Sequence, residues 1–251
     1  MIFYFSATGN TKWIAETIAV GLGDKTADIM KADPADYTFG PEDVIGIVFP
    51  VYYCVSPDRV TEFAKKLSPN GAYTYAVCDY SNYAGHALQY LSREGLALHS
   101  GYGVLMPDNT SVFGLTLDDE ESTLRKLRQA QPRVQEIIER LKTREEGVFD
   151  AWEGEQDPEE QTQILGGLYH SGEVTKTDVF SVTDVCIGCG LCERNCPAGA
   201  IELRDGKPVW AKEHCAMCAA CINNCPVEAI EFADKSQGVY RYTFRKYAKQ
   251  I

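Results

Sequence analysis

Apolar and polar positions alternate along residues 1–106 in two rhythms. Short apolar runs at Ile2–Ser6, Thr26–Met30, Val44–Val51, Tyr73–Asp79 and Leu98–Met106 read as strands. Between most of them, apolar residues recur at helical spacing: Asn10–Gly21, Pro57–Leu67 (with Val60, Phe63, Ala64 and Leu67 on one face) and Gly85–Glu94. Such alternation predicts an α/β domain with a doubly wound, five-stranded parallel sheet, and VIGIVFPV reads as a strand buried on both sides.

Further on, Leu117–Lys142 is a long charged helical stretch with Pro132 inside it, which predicts a kink or a break between two helices. Residues 144–177 are rich in Glu, Gly and Gln and read as a linker, with a short helix over Gln161–Tyr169. A second small unit covers 178–236, and the tail 237–251 is basic and aromatic. The tail reads as an amphipathic segment docking back on the body, with a partner-binding tail as the alternative. The first domain is thus expected over 1–143.

A chain of 251 residues, 45% hydrophobic, suffices for one large domain or two smaller ones. With 36 acidic against 24 basic residues, the net charge of −12 argues against nucleic acid or an anionic membrane as partner. No run approaches the roughly 18 apolar residues of a membrane span, and the first residues lack an export signal. The expectation is a soluble cytoplasmic protein. Eight of the ten cysteines crowd between Cys186 and Cys225, which makes them candidate metal ligands rather than disulfides.

Those eight form a duplication. Cys186-x2-Cys189-x2-Cys192-x3-Cys196-Pro197 recurs as Cys215-x2-Cys218-x2-Cys221-x3-Cys225-Pro226, and each copy is followed by Ala-Ile-Glu. Three thiolates at two-residue gaps wrap one face of a cubane cluster, and the fourth arrives from elsewhere. The region resembles two-cluster bacterial ferredoxins, in which the fourth cysteine of each run ligates the other cluster. One [4Fe–4S] cluster is then expected on Cys186, Cys189, Cys192 and Cys225, the other on Cys215, Cys218, Cys221 and Cys196. Small residues at Gly188, Gly190, Ala216, Ala219 and Ala220 leave backbone N–H groups free to approach the sulfurs. Paired zinc sites fit the duplication and the prolines poorly. His214 reads as a solvated or capping residue.

The turn after the first strand, FSATGNT, reads either as a helix cap or as a phosphate cradle. Walker-A chemistry is excluded, because Gly-x4-Gly-Lys-Ser/Thr is absent, and no Gly-x-Gly-x-x-Gly follows the strand. Ser6, Thr8, Asn10 and Thr11 offer side-chain donors at the positive end of a helix, and Gly9 lets the backbone close in. The pattern resembles the FMN-phosphate turn of flavodoxins. That resemblance implies that the isoalloxazine ring lies outside the carboxyl ends of the strands, flanked by Pro50, Val51, Tyr52 and Tyr53 after the third strand. After the fourth strand the flanking residues are Asp79, Tyr80, Ser81, Asn82, Tyr83 and Gly85. Asp108 and Asn109 end the fifth strand on the same edge, His86 is a candidate proton donor, and Cys54 and Cys78 read as buried unreactive thiols.

As a whole the chain resembles the flavodoxin–ferredoxin fusion proteins of anaerobic bacteria and archaea, which also tend to show the Met106-Pro107-Asp108-Asn109 stretch. The resemblance implies an electron-transfer protein relaying between two [4Fe–4S] clusters and FMN, with a redox protein as donor or acceptor. Three alternatives stay open: a pure carrier, an oxidoreductase with its own substrate near His86, Tyr83 or Asp108, and a ferredoxin with a flavin-free docking domain. Flavodoxin-like folds often dimerise, so a homodimer with each cluster unit facing a partner's flavin is a further expectation.

Overall fold

A computed structural model describes residues 1–115 and 118–250. Six parallel strands form the main sheet: β1 (Ile2–Tyr4), β2 (Thr26–Asp28), β3 (Val44–Pro50), β4 (Tyr73–Tyr80), β5 (Ser100–Leu105) and β6 (Val148–Asp150), in the order β2-β1-β3-β4-β5-β6. Alternating side chains serve two faces, as the strand period demands. Ile2, Val48, Tyr75, Val77, Tyr102 and Val104 pack under α1 (Asn10–Leu22) and α4 (Glu120–Lys142). Phe3, Ile45, Ile47, Ala76 and Cys78 pack under α2 (Asp58–Lys65) and α3 (Ala87–Glu94), and the stripe Val60, Phe63, Ala64 and Leu67 joins this second core. The flavodoxin-like doubly wound sheet is therefore present.

Three expectations are corrected. The sheet has six strands rather than five, because β6 adds parallel to β5 with Ser100 opposite Val148 and Tyr102 opposite Asp150. Residues 144–177, where a linker is expected, carry β6 and a 13-residue helix, α5 (Pro158–His170). A three-residue strand with only Val148 and Phe149 apolar is too short to show a period. The third correction concerns Pro132, which sits inside a continuous α4. Proline leaves the carbonyl of Arg128 without its helical donor, but Arg128 and Pro132 are both exposed, so water can take that carbonyl. The buried stripe Leu127, Ala130, Val134, Ile137 and Ile138 holds both halves of the helix on the sheet. Leu117, the expected start of this helix, lies outside the described residues.

The second unit pairs β7 (Phe180–Val182) antiparallel with β10 (Ile230–Phe232) and β8 (Ile201–Arg204) with β9 (Lys207–Trp210). Its short helices α6 (Leu191–Arg194) and α7 (Ala220–Asn223) follow the two cysteine loops. The duplication extends to the backbone. Gly188 and Met217, Gly190 and Ala219, and Gly199 and Glu228 are left-handed pairs at the same offset as Cys186 and Cys215. Only one copy spends glycine there; the other accepts the steric cost of a side chain.

The two units share a core. Val112, fully buried in the loop after β5, packs with Ala219, Ile222 and Ile230, and Phe113 meets Phe232 at 4.6 Å between ring centroids. The tail docks as well: Tyr242, Phe244 and Tyr247 enter the α1–α4 core, and Phe244 stacks on Trp13 at 5.4 Å. Arg241, 2% exposed, pairs with Glu231 at 3.1 Å and bonds the Ile230 carbonyl at 3.0 Å. A buried ion pair persists only when its remaining donors are also satisfied, as here in part by the Ser236 carbonyl.

Candidate functional site

The loops after β1, β3, β4 and β5 converge on a pocket at the carboxyl edge of the sheet. Ser6, Thr8, Asn10 and Thr11 line it, with Pro50, Val51 and Tyr52, then Asp79, Tyr80 and Ser81, then Asp108 and Asn109. Ala7, Pro107 and Thr110 line it too, although no sequence signal singled them out as binding residues. The N-cap of α1 is Gly9, with φ 108°, and no side chain caps the helix. The first intrahelical bond is Trp13 N–H to the Gly9 carbonyl, so the N–H groups of Asn10, Thr11 and Lys12 have no helical acceptor. The hydroxyl-rich turn thus fails as a helix cap and leaves the donors an anion needs.

The hydroxyls are already in use. Ser6 Oγ accepts the Gly9 N–H at 3.2 Å, Thr8 Oγ1 accepts from Asn109 Nδ2 at 3.1 Å, and Thr11 Oγ1 donates to Asp79 Oδ1 at 2.5 Å. Asn10 departs from expectation. Its amide donates to the Pro107 carbonyl at 3.0 Å and accepts from the Tyr242 hydroxyl at 2.6 Å, so it ties the turn to the β5 loop and the tail. Gly9 itself is walled off: a Cβ there would meet Phe244 Cβ at 2.9 Å. The Phe244 N–H donates to the Thr8 carbonyl at 2.9 Å, and Asn224 Nδ2 donates to the Ala7 carbonyl at 3.2 Å.

Tyr53, Asn82, Tyr83, Gly85 and His86 do not line this pocket. Tyr52 and Val55 exchange backbone bonds across Tyr53 and Cys54, both left-handed at φ 50° and 62°. That tight turn sends Tyr53 outward to stack on Tyr169 of α5 at 5.7 Å, while Tyr52 packs edge-on against Phe5. Asn82 borders a separate groove with Trp152 and Arg125. Tyr83 packs beside Gly154, and Gly85 fits under Cys54 and Thr162, where a Cβ would come within 2.6 Å of Cys54. His86 Nδ1 contacts Glu159 at 2.9 Å and Nε2 lies 3.6 Å from Glu153, so it pegs α5 and its approach to the loop after β4. Tyr53, Gly85 and His86 thus contact α5, which is longer than the short helix expected over Gln161–Tyr169.

Two residues of the pocket carry unusual electrostatics. Burial pushes the Asp79 carboxyl up to about 7 against the partial relief of the Thr11 bond. The Tyr52 hydroxyl is buried without a hydrogen-bond partner. Burial first, then Cys218, Tyr169, Asp79 and Cys215, hold its ionisation well above the ordinary range. Tyr52 therefore lines the pocket at a point where the second cysteine loop is near enough to bear on its ionisation.

Around the cysteines, a hollow of about 360 Å³ is lined by Cys186, Cys189, Cys192 and Cys225, together with Pro226. Cys215, Cys218, Cys221 and Cys196 form the other group: after burial, Cys218, Cys215 and Cys196 all raise the Cys221 thiol. Ala200 N–H donates to Cys196 Sγ at 3.2 Å and Ala229 N–H to Cys225 Sγ at 3.3 Å, matching bonds in the two copies. Each sulfur brought across from the opposite run thus has a backbone donor. His214 bonds Thr175 at 3.1 Å. Cys54 and Cys78 are buried, and burial raises the Cys54 thiol to about 11. Among the described residues no helix is long and apolar enough to cross a membrane.

Comparison with known proteins agrees with this division. A flavodoxin domain model matches residues 1–79 and a 4Fe-4S dicluster domain model matches residues 185–229. The chain thus carries an N-terminal flavodoxin domain and a C-terminal 4Fe-4S dicluster domain, which point to a flavin and to iron–sulfur clusters. One similar solved structure is a protein from Bacteroides eggerthii provisionally assigned as a flavoprotein, 18% identical, with 51% of this chain and 95% of that chain covered and a TM-score of 0.34. No curated protein matches the chain.

Proposed function

We propose that the protein is an iron–sulfur flavoprotein that transfers electrons between two [4Fe–4S] clusters and FMN, and on to a redox protein or a small acceptor. The observation that carries this reading is the junction of pocket and cysteine run: Asn223 and Asn224, between Cys221 and Cys225, donate to the carbonyls of Asn109 and Ala7, both of which line the anion-ready pocket. When bound, FMN exchanges two electrons and each cluster one, so the pair can join one-electron and two-electron partners.

The residues fit these groups. For the phosphate, the uncapped α1 amides, with Ser6 and Thr8 beside them, offer donors without a lysine. Pro50, Val51, Tyr52, Tyr80 and Ser81 supply the remaining walls. Cys186, Cys189, Cys192 and Cys225 would hold an outer cluster, and Cys189 is exposed there. Cys215, Cys218, Cys221 and Cys196 would hold the inner one, next to Tyr52. Burial lifts the Cys215 thiol to about 11 and Cys218 to about 12, so ligation must displace their protons.

The test is the cofactor content of anaerobically purified protein, by acid-released flavin, iron and sulfide assays and a visible spectrum before and after dithionite. About one FMN and about eight iron per chain are expected. Iron without flavin reduces the first domain to a docking module, and zinc in place of iron overturns the electron-transfer reading.

A further inference from the structure

The phosphate end of the pocket contains an acid where a cation would be expected. Asp79 ends β4 on the α1 face of the sheet, is 6% exposed, and lines the pocket with Ser6, Thr8 and Thr11. Its Oδ1 accepts the Thr11 hydroxyl at 2.5 Å, and among the described residues nothing donates to Oδ2 of this pocket-lining carboxyl.

The groups facing Asp79 do not neutralise it. Tyr52 from the β3 loop, Tyr242 from the tail and the adjacent Cys78 are all pushed up by burial and stay neutral. On α4, Lys126 is held by Asp118 at 2.8 Å and the Ser81 carbonyl at 2.6 Å, and Arg133 by Asp150 and the Gly103 carbonyl. Asp108, from the β5 loop, is itself a buried carboxyl bonded to Thr110. A phosphate monoester is close to a dianion at neutral pH. A second buried anion beside it repels it, which favours the protonated carboxyl.

We propose that Asp79 is the proton-holding acid of the cradle: it takes a proton from water as the phosphate monoester enters, and presents a neutral carboxyl to it. The inference rests on the flavin reading. The Thr11 bond favours the ionised form in the empty pocket, and burial opposes it, so the carboxyl sits near neutrality and a single incoming anion decides its state. The protonated Oδ2 adds a donor to a site that has no basic side chain in its lining.

The experiment is calorimetric titration of FMN into the full chain with its clusters intact and flavin depleted, at about pH 8, in two buffers of different ionisation heat. Net uptake approaching about one proton per FMN is expected, with affinity falling up to about tenfold per pH unit above the Asp79 titration. Riboflavin, without the phosphate, should bind with no uptake. Asp79→Asn should abolish the uptake while still binding FMN, and Thr11→Val, which frees Oδ1, should move the uptake profile to higher pH. Uptake unchanged in both variants would mean that the phosphate takes the proton, and the proposal would fall. Zero uptake by the unmodified protein overturns it without any variant. Failure of FMN to bind at any pH overturns the flavin reading itself, a separate outcome.

Discussion

The side-chain amide of Asn223 donates to the main-chain carbonyl of Asn109 at 2.9 Å. The same side chain accepts the Tyr242 N–H at 3.0 Å, so one residue of α7 fastens the β5 loop of the pocket to the docked tail. Asn223 lies two positions after Cys221 and two before Cys225, one cysteine from each predicted cluster set.

Replacing Asn223 with alanine leaves a carbonyl and an N–H unpaired at a buried junction, at about 1–3 kcal/mol each. The urea midpoint should fall accordingly, and electron exchange between flavin and clusters after flash reduction should slow at least severalfold. An unchanged exchange rate in a folded variant would show that the junction has no part in coupling.

The proposed crossed cysteine sets would give the two clusters different places in the relay. In Cys225→Ala the inner set keeps all four sulfurs, and photoreduced flavin should still reduce it. In Cys196→Ala the inner set loses a ligand, and flavin oxidation by the clusters should drop at least tenfold. Electron paramagnetic resonance of each reduced variant reads the surviving cluster; equal loss in both variants would contradict the assigned order.

Gly9→Ala puts a Cβ 2.9 Å from Phe244 Cβ at a residue with φ 108°. Backbone strain and the displaced tail together should cost about 1–3 kcal/mol. Weaker FMN retention on gel filtration should accompany it. Pairing it with Phe244→Ala relieves the contact but not the φ, so only part of the retention should return.

Asp79 sets a pH dependence of stability in the flavin-free protein. The folded value is raised from the ordinary 3.8 to about 7, so between those values the native chain binds the extra proton and the unfolded chain does not. Stability from this group is therefore complete below about pH 4 and declines as pH rises to about 7, with a ceiling of about 4 kcal/mol. Asp79→Asn should remove that decline and raise the thermal midpoint at pH 8. A midpoint that falls at pH 8 would show that the ionised carboxylate is stabilising.

Much of this was legible in the chain. The first five strands and α1 to α3 were placed within about two residues, because buried parallel strands and one-sided helices print their periods directly. The two expected groupings of cysteines rest on the resemblance to two-cluster ferredoxins that the repeated spacing carries. Nothing local in the sequence reveals that Pro107 and Tyr242 engage the side-chain amide of Asn10. Nor does anything local show that the helix expected over Gln161–Tyr169 packs on Tyr53 and Gly85. Asn223 and Asn224 escaped notice because their partners lie more than a hundred residues away.

The pocket's rear wall has an order of arrival. Residues 6–11 leave the ribosome first, but Tyr242 and Phe244, which hold Asn10 and back Gly9, follow both cysteine runs. Synthesis is vectorial, and early domains fold as they emerge. Here the earliest loop of the sheet waits for one of the latest segments, so the phosphate turn is backed only after all eight cluster cysteines have emerged. If flavin and clusters bind as proposed, both would load on this same late form of the chain, and a shortage of iron at that stage would be felt at the flavin.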